Sequence, residues 1–265
     1  MSQDQGTSPP RETANSDGVD FRNYGSRIEQ IASDWYANPI QSVDVIQRGG
    51  YSQTADGACE VEICRFNAIA FAKPRPEKAS PALVGREKVA SDLGHILGLP
   101  IAPTVVRPPS SGWPNFTVMS LQCLPTGRLW STGGDANVRR LAPLLESLRV
   151  FWTWLGDTDH NGHGQNLSWS VGSDRAAVSG FDHAYCLGHD GADPSTIPCS
   201  QGYGTATLPE AVHALNATIE RIEHLSWPAI TMIVERLNPV LTDEERERIL
   251  RVLEVRRGEL RRLLK

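Results

Sequence analysis

Hydrophobic and polar positions change their spacing along this chain, and the change separates two kinds of predicted element. In the N-terminal part, β-branched and aromatic residues are enriched in short runs bounded by Gly- and Pro-containing segments, a pattern typical of strands. These runs lie at 43–47, 59–73, 101–108 and 115–124. The last two are predicted to pair, and 48–57 is predicted to be the turn between the first two. The pattern therefore predicts a small sheet.

Elsewhere apolar residues recur every three or four positions, the spacing of amphipathic helices. One helix is predicted from Leu83 to a stop signal at Gly98, and others at 27–36, 137–155, 208–225, 227–237 and 242–265. Thr242 and Glu245 form a capping box at the start of the last one. We therefore predict an α+β fold of two lobes: a sheet with a helix at 21–125, and a mostly helical lobe at 126–265.

Composition limits the class of protein. The chain has 265 residues with 40% hydrophobic content, enough for a full core, and a formal net charge of -5, which disfavours a general nucleic-acid binder. No apolar run approaches a membrane span, and residues 1–20 are polar and predicted to be disordered rather than a signal peptide. Five dispersed cysteines without a CxxC pair favour a reducing, cytoplasmic location.

Polar side chains of the kind that bind magnesium cluster in two short segments. The first is WLGDTDHNGHGQNLSW at 154–169, and the second is GFDH at 180–183. Each lies on a tight polar turn next to an apolar run. Carboxylate and amide oxygens suit Mg²⁺, which prefers hard ligands and keeps phosphate oxygens in its shell. These segments therefore predict a phosphotransferase site that contains Asp159, Asn166 and Asp182.

Two further residues complete the candidate constellation. Lys73 ends the predicted strand NAIAFAK, from which a lysine can reach phosphate oxygens, and Glu87 lies in the first half of the helix that follows. A carboxylate at that place could pair with Lys73 and hold its ammonium group over a nucleotide. Taken singly, a surface lysine and an exposed helical glutamate are the simpler interpretations.

In this chain order the residues resemble those of the HipA-like kinases, a bacterial branch related to phosphatidylinositol 3- and 4-kinases and to protein kinases. The segment REKVASDLGHILGLPIAP at 86–103 resembles the family's NExxAxxLAxxLGLP helix. The loop GDTDHNGHGQNL is similar to the family's GNTDRHxxN catalytic loop, and FDHA at 181–184 is similar to its metal-binding segment. The resemblance extends from about Val43 to Leu263.

The resemblance implies a role for each matching residue. Lys73 would contact the α- and β-phosphates of ATP, Glu87 would form a salt bridge with Lys73, and Asp159 would orient or deprotonate the acceptor hydroxyl. Asn166 and Asp182 would hold Mg²⁺. The implied fold is a two-lobe protein-kinase-like fold, and the implied activity is ATP- and Mg²⁺-dependent phosphorylation of a Ser or Thr hydroxyl of a protein partner. Lipid and small-molecule acceptors stay open as alternatives.

Nucleotide contacts in the predicted sheet are assigned more loosely. The Gly-containing turn RGGYSQTADG at 48–57 allows close approach of its backbone to phosphates at Gly50, Tyr51 or Ser52, although a plain hairpin explains it as well. The adenine is expected near the segment from Met119 to Leu124, which includes Leu121.

Two departures from the family pattern affect the functional prediction. Asp159 and Asn166 stand seven residues apart, two more than in most relatives, and His160 replaces the usual arginine after the aspartate. Gly162 and Gly164 could let the longer loop bulge and leave Asn166 in place, or the insertion could displace the amide. The alternative function is therefore a catalytically impaired, nucleotide-binding pseudokinase that acts as a regulatory binding module.

Other interpretations of the same residues are weaker. A calcium loop beginning at Asp157 would have Ser168 at its twelfth position, which cannot supply the required bidentate carboxylate. The spacing of His160, His163, His183 and His189 matches no common zinc site, so polar loop histidines are the better interpretation. The arginine cluster of the last helix, at 256, 257, 261 and 262, is predicted to be a solvated face.

Overall fold

The fold is described from a computed structural model of the chain. The residues that it describes are 44–48, 62–65, 69–74, 81–109, 115–121, 128–130, 137–160, 166–171, 176–189, 191–200, 203–238 and 240–265. The predicted disordered leader, the predicted helix at 27–36 and the turn with Gly50 and Ser52 lie outside these residues.

A five-stranded antiparallel sheet occupies the N-terminal part of the described chain. Its strands are β1 (Asp44–Arg48), β2 (Glu62–Arg65), β3 (Ile69–Pro74), β4 (Thr104–Arg107) and β5 (Thr117–Leu121), in the order β1-β2-β3-β5-β4. The predicted pairing of the 101–108 and 115–124 segments is confirmed, with Val106 opposite Val118. Strand β5 also pairs with the central strand β3, where Lys73 lies opposite Val118.

A second antiparallel sheet has three strands: β6 (Arg128–Leu129), β7 (Leu167–Val171) and β8 (Ala176–Gly180), in that order. Strands β7 and β8 pair with Leu167 opposite Gly180, so β8 ends beside the point where β7 begins. This pairing brings the residues after β8 next to those before β7.

Five helices are described: α1 (Pro81–Ile96), α2 (Val138–Leu155), α3 (Pro209–His224), α4 (Trp227–Glu235) and α5 (Asp243–Leu263). All were predicted within a few residues. The capping box is confirmed, because Thr242 Oγ1 accepts the Glu245 amide and Glu245 Oε2 accepts the Thr242 amide. None of the helices in these ranges combines the length and apolar character that crossing a bilayer requires.

The helix α2 lies at the centre of the main hydrophobic core. Phe151, Trp152 and Trp154 on this helix are completely buried, and the Trp154 indole donates a hydrogen bond to the carbonyl of Leu253 on α5 at 3.0 Å. Residues 150–155, the last six of this helix, are all buried. The loop that follows α2 therefore begins from a rigid base.

One arginine of α5 contradicts the prediction of a solvated face. Arg256 is fully buried and donates to the carbonyl oxygens of Thr153, Pro194 and Ile197 at 2.6, 2.9 and 2.9 Å. It thus joins α5, the end of α2 and the segment 191–200. Arg261 follows the prediction more closely, since its exposed guanidinium pairs with Glu223.

A short parallel bridge joins the chain after α1 to the end of β8. The Ala102 amide donates to the carbonyl of Gly180 at 2.8 Å, and the Gly180 amide donates to the carbonyl of Pro100 at 2.9 Å. The segment LGLPIA is thereby held against the residues that precede Asp182. These two segments lie about one third of the chain apart in the sequence.

Candidate functional site

The loop after α2 is shaped by a glycine and a buried aspartate. Gly156 ends the helix with φ 62° and ψ 41°, a left-handed conformation that glycine adopts without strain. Asp157 follows and is completely buried. Its Oδ1 accepts the main-chain amides of Asp159 and His160 at 2.9 and 3.1 Å, which folds the loop into a tight turn and turns Asp159 outward.

Asp159 and Asn166 meet despite the longer loop between them. Asn166 Nδ2 donates to Asp159 Oδ2 at 2.7 Å, and the Asn166 carbonyl accepts the amide of Phe181 at 3.0 Å. Since the amide nitrogen faces Asp159, the amide oxygen is the atom left to face a cation. The longer loop therefore leaves these two side chains in contact.

Asp182 brings a second carboxylate to the same place. It has φ 62°, a left-handed conformation that is uncommon outside glycine and is tolerated by Asp. Burial raises the pKa of Asp159 above its usual range, and the nearby charge of Asp182 raises it further. Two carboxylates that repel one another in this way, with an amide beside them, form an oxygen-rich group of the kind that Mg²⁺ prefers.

Glu87 is buried at the boundary between α1 and the five-stranded sheet. It is 1% exposed, and Ser120 Oγ on β5 donates to its Oε1 at 3.0 Å. An exposed helical glutamate is therefore the wrong interpretation of this residue. Ser120 lies two residues beyond Val118, the partner of Lys73 in the sheet register. The side chain of Lys73 lies outside the described residues, so its salt bridge with Glu87 stays a prediction.

The buried thiol of Cys186 is affected by charges both on α1 and in the loop after α2. Burial raises the pKa of Cys186 well above its usual value, and the charges of Asp157, Arg86 and Glu87 also act on it, the carboxylates raising the pKa and the arginine lowering it. Coulombic effects fall off with distance, so residues of α1 and of the loop after α2 both lie near Cys186.

The nucleotide contacts expected in the sheet are placed only in part. Gly50 and Ser52 lie outside the described residues. Met119 is fully buried in the middle of β5, paired with strands on both sides, whereas Leu121 ends that strand. Contact of Met119 or Leu121 with adenine stays a prediction.

Two histidines predicted to be polar loop residues are buried instead. His160 and His183 are 3% and 1% exposed, and their rings stack at 4.7 Å with 18° between the planes. Trp152 also stacks on His160, with ring centroids 4.4 Å apart, and its Nε1 donates to His183 Nε2 at 3.2 Å. The prediction failed because His183 reaches His160 only through the β7–β8 hairpin.

Asp157, His160 and His183 have ligand-type atoms within 4.8 Å of one another. The stacked rings nevertheless do not suit a shared metal ion. A ring nitrogen binds a metal in the plane of its ring at about 2.0–2.1 Å, and one ion cannot lie in two nearly parallel planes. The hydrogen bond from Trp152 also occupies the Nε2 lone pair of His183. The oxygen group at Asp159, Asn166 and Asp182 fits a cation better.

The calcium interpretation is also disfavoured by the geometry. Oδ1 of Asp157, the would-be first ligand, already accepts two main-chain amides inside the protein. Ser168, the twelfth position, lies in strand β7 rather than in a following helix.

The overall structure resembles that of a solved kinase. The proinflammatory kinase CtkA of Helicobacter pylori superposes with a TM-score of 0.56 at 14% identity, over 80% of this chain and 93% of that chain. This chain has a kinase-like fold. The kinase-like fold that the sequence resemblance implies is thereby supported.

A second solved structure is HipA in a toxin–antitoxin complex with HipB and operator DNA from Shewanella oneidensis MR-1. It superposes with a TM-score of 0.46 at 12% identity, over 91% of this chain and 71% of that chain. No protein-family model and no curated protein matches this sequence. The assignment of individual site residues therefore depends on the geometry described above.

Sequence reasoning missed the residues that support the site. Asp157 was considered only as a calcium ligand, and Ser120, Trp152 and Ser200 were not considered. Ser200 Oγ donates to the His160 carbonyl at 3.2 Å. The sequence signal that could have found Asp157 is its position directly after a helix-ending glycine, where an Asp commonly bonds the amides that follow.

Proposed function

We propose that the protein is an ATP- and Mg²⁺-dependent phosphotransferase that acts on a hydroxyl group. The observation that carries this proposal is the meeting of Asp159 and Asn166 at 2.7 Å, with Asp182 close enough to raise the pKa of Asp159. A kinase-like fold alone would not suffice, because a fold hosts many functions. The three side chains supply the oxygen ligands and the base that phosphoryl transfer requires.

In this proposal each residue has one task. Asp159 accepts a hydrogen bond from Asn166 through Oδ2, which fixes the carboxylate while its other oxygen faces the acceptor hydroxyl. The oxygen atoms of Asn166 and Asp182 hold Mg²⁺, which neutralises charge on the transferring phosphoryl group. Lys73 contacts the phosphates and is held by Glu87. The raised pKa of Asp159 suits a group that must take up a proton.

The same observation favours an enzyme over the pseudokinase alternative. That alternative rested on displacement of Asn166 by the insertion in the loop. Instead, Asn166 lies beside Asp159, and its main chain is bonded to Phe181, the residue before Asp182. The nucleotide is proposed to bind between two lobes, at 21–125 and 126–265. A Ser or Thr of a protein, the acceptor implied by the family resemblance, is the proposed substrate.

The test compares Asp159→Asn and Asp182→Asn with wild type and with Asp193→Asn, a matched control at an exposed aspartate that bonds Ser195. The purified proteins are incubated with γ-labelled ATP, Mg²⁺ and casein as a general Ser/Thr acceptor. Labelling, ATP loss and nucleotide-induced thermal shift are measured. We expect Asp159→Asn to lower turnover by about 10²-fold or more while it still binds nucleotide, because it removes the base.

Asp182→Asn is expected to weaken the Mg²⁺-dependent thermal shift, and Asp193→Asn to behave as wild type. A thermal shift without turnover in wild type would support the pseudokinase. If wild type showed no nucleotide effect, or if both site variants kept full turnover, the proposed function would be wrong.

A further inference from the structure

His160 uses both of its ring nitrogens inside the protein. Nε2 lies 3.0 Å from the main-chain carbonyl oxygen of Phe181, and Nδ1 lies 3.0 Å from Oδ1 of the buried Asp157. Its own carbonyl accepts a hydrogen bond from Ser200 Oγ. One residue therefore contacts the start of the catalytic loop, the segment before Asp182 and the segment 191–200.

These contacts determine which ring atoms carry protons. A carbonyl oxygen only accepts, so Nε2 must donate to Phe181. If Nδ1 were bare, its lone pair would face a carboxylate oxygen at 3.0 Å, which is repulsive. A proton on Nδ1 turns the same contact into an ion pair, although the N–H is not aligned as a regular hydrogen bond. Both nitrogens are therefore protonated, and the ring is an imidazolium.

The surroundings of the ring also favour a cation. Burial lowers the pKa of His160, but the charges of Asp157, Asp159 and Asp182 raise it, and the net shift is upward. The indole of Trp152 stacks on one face at 4.4 Å, where its π electrons attract a positive charge. The ring of His183 also stacks on His160, and its Nε2 accepts from Trp152.

Asp157 completes the arrangement from the opposite side. Burial raises the pKa of Asp157, but the neighbouring His160 outweighs burial, so the pKa is lowered overall and the group is a carboxylate. Its Oδ2 is buried and has no hydrogen-bond partner among the described residues. A buried carboxylate of this kind needs a cation beside it, and His160 is the cation in contact with it.

We propose that His160 is a positioning residue that holds the catalytic loop and the segment before Asp182 in one fixed arrangement, by bridging Asp157 to the carbonyl of Phe181. The proposal rests on the proposed function of Asp159 and Asp182 in Mg²⁺-dependent phosphoryl transfer. An imidazole fits this task because it presents two donors about 2 Å apart within a flat ring that stacks against Trp152 and His183. A change at His160 moves Asp182 without touching the nucleotide.

The test measures how strongly Mg²⁺ increases the affinity for ADP. Binding of ADP is measured by calorimetry with and without Mg²⁺ for wild type, His160→Gln and the matched control His95→Gln, an exposed histidine of α1. Gln donates to Phe181 but carries no charge for Asp157. We expect the Mg²⁺-dependent gain in affinity to fall about 10-fold in His160→Gln, since loss of a residue that orients a ligand typically costs that much.

In the same variant the affinity for ADP without Mg²⁺ should stay within about twofold of wild type, because the proposed phosphate and adenine contacts lie in the other part of the chain. His95→Gln should match wild type in both measurements. An unchanged Mg²⁺ effect in His160→Gln would overturn the proposal. So would an equal loss of affinity with and without Mg²⁺, which would show general damage to the fold.

A second measurement needs neither a variant nor a nucleotide. In ¹⁵N-histidine-labelled wild type, the His160 ring is expected to show two protonated nitrogens at neutral pH, both in slow exchange with water. A bare Nδ1 would contradict the bridge. If wild type did not bind ADP at all, the proposed function would fail, while the NMR spectrum would still report whether the bridge exists.

Discussion

Replacement of Arg256 by methionine tests how far one buried side chain stabilises the C-terminal part of the fold. Burial lowers the pKa of this arginine, but from so high a value that the guanidinium stays charged. It donates to the carbonyl oxygens of Thr153, Pro194 and Ile197, and more distantly to that of Pro198 at 3.5 Å. Methionine keeps the aliphatic bulk and removes every donor.

The magnitude follows from the acceptors that would lose a partner. The Thr153 carbonyl still accepts the Gly156 amide at 3.2 Å, so removing the arginine donor from it costs little stability. The carbonyls of Pro194 and Ile197 each lose a charged donor, and a buried acceptor left alone costs about 1–3 kcal/mol. Ser195 and Thr196 in the same segment are exposed, so water can reach part of it. We therefore expect the free energy of unfolding to fall by about 3 kcal/mol, which is in the lower half of the range for two acceptors.

The matched control is Arg261→Met on the same helix. The Arg261 side chain is 52% exposed and pairs with Glu223, and exposed pairs contribute about 0.2–1 kcal/mol. Urea unfolding gives the loss of stability from the change in midpoint. Proteinase K followed by mass spectrometry shows whether cleavage at 191–200 increases in Arg256→Met. Equal losses in the two variants, or unchanged cleavage of this segment, would refute the argument.

Two further predictions concern stability. Gly94→Ala on α1 should lose about 1–2 kcal/mol, because its Cβ would lie 2.6 Å from Ile101 Cγ1 and the clash outweighs the gain in helix propensity. Gly258→Ala on α5, with no atom near the added Cβ, should gain about 0.5–1 kcal/mol; a loss there, or a gain at Gly94, would contradict the packing described. Thr242→Ala should lose about 1 kcal/mol in the same urea assay, since Glu245 would lose its capping partner; no change would mean that solvent caps the helix equally well.

The sequence predicted those elements whose pattern is local. The helix at 137–155 and the strands around 101–108 and 115–124 were found because apolar spacing and β-branched residues mark them directly. Strand β8 was missed, since AAVSG contains a single β-branched residue and depends on pairing with β7. Its register could not be predicted from propensity, because tertiary pairing decides it.

The candidate site shows the same difference between features with a local sequence signal and features that depend on tertiary contacts. The order of Asp159, Asn166 and Asp182 along the chain indicated a shared site, and the structure brings them together. The burial of His160 could not be predicted, because it depends on a contact with Phe181, 21 residues away. Arg256 was mistaken for a surface residue since its charged neighbours look alike in sequence, and only the packing of 194–198 distinguishes it.

The parallel bridge between Pro100–Ala102 and Gly180 also restricts how this molecule can move. The two hydrogen bonds join the exit of α1 to a point two residues before Asp182. A rotation of α1, with Glu87 on it, therefore pulls directly on the backbone that carries Asp182. Movement of Glu87 is thus coupled to movement of Asp182 through a pair of main-chain hydrogen bonds rather than through a flexible linker.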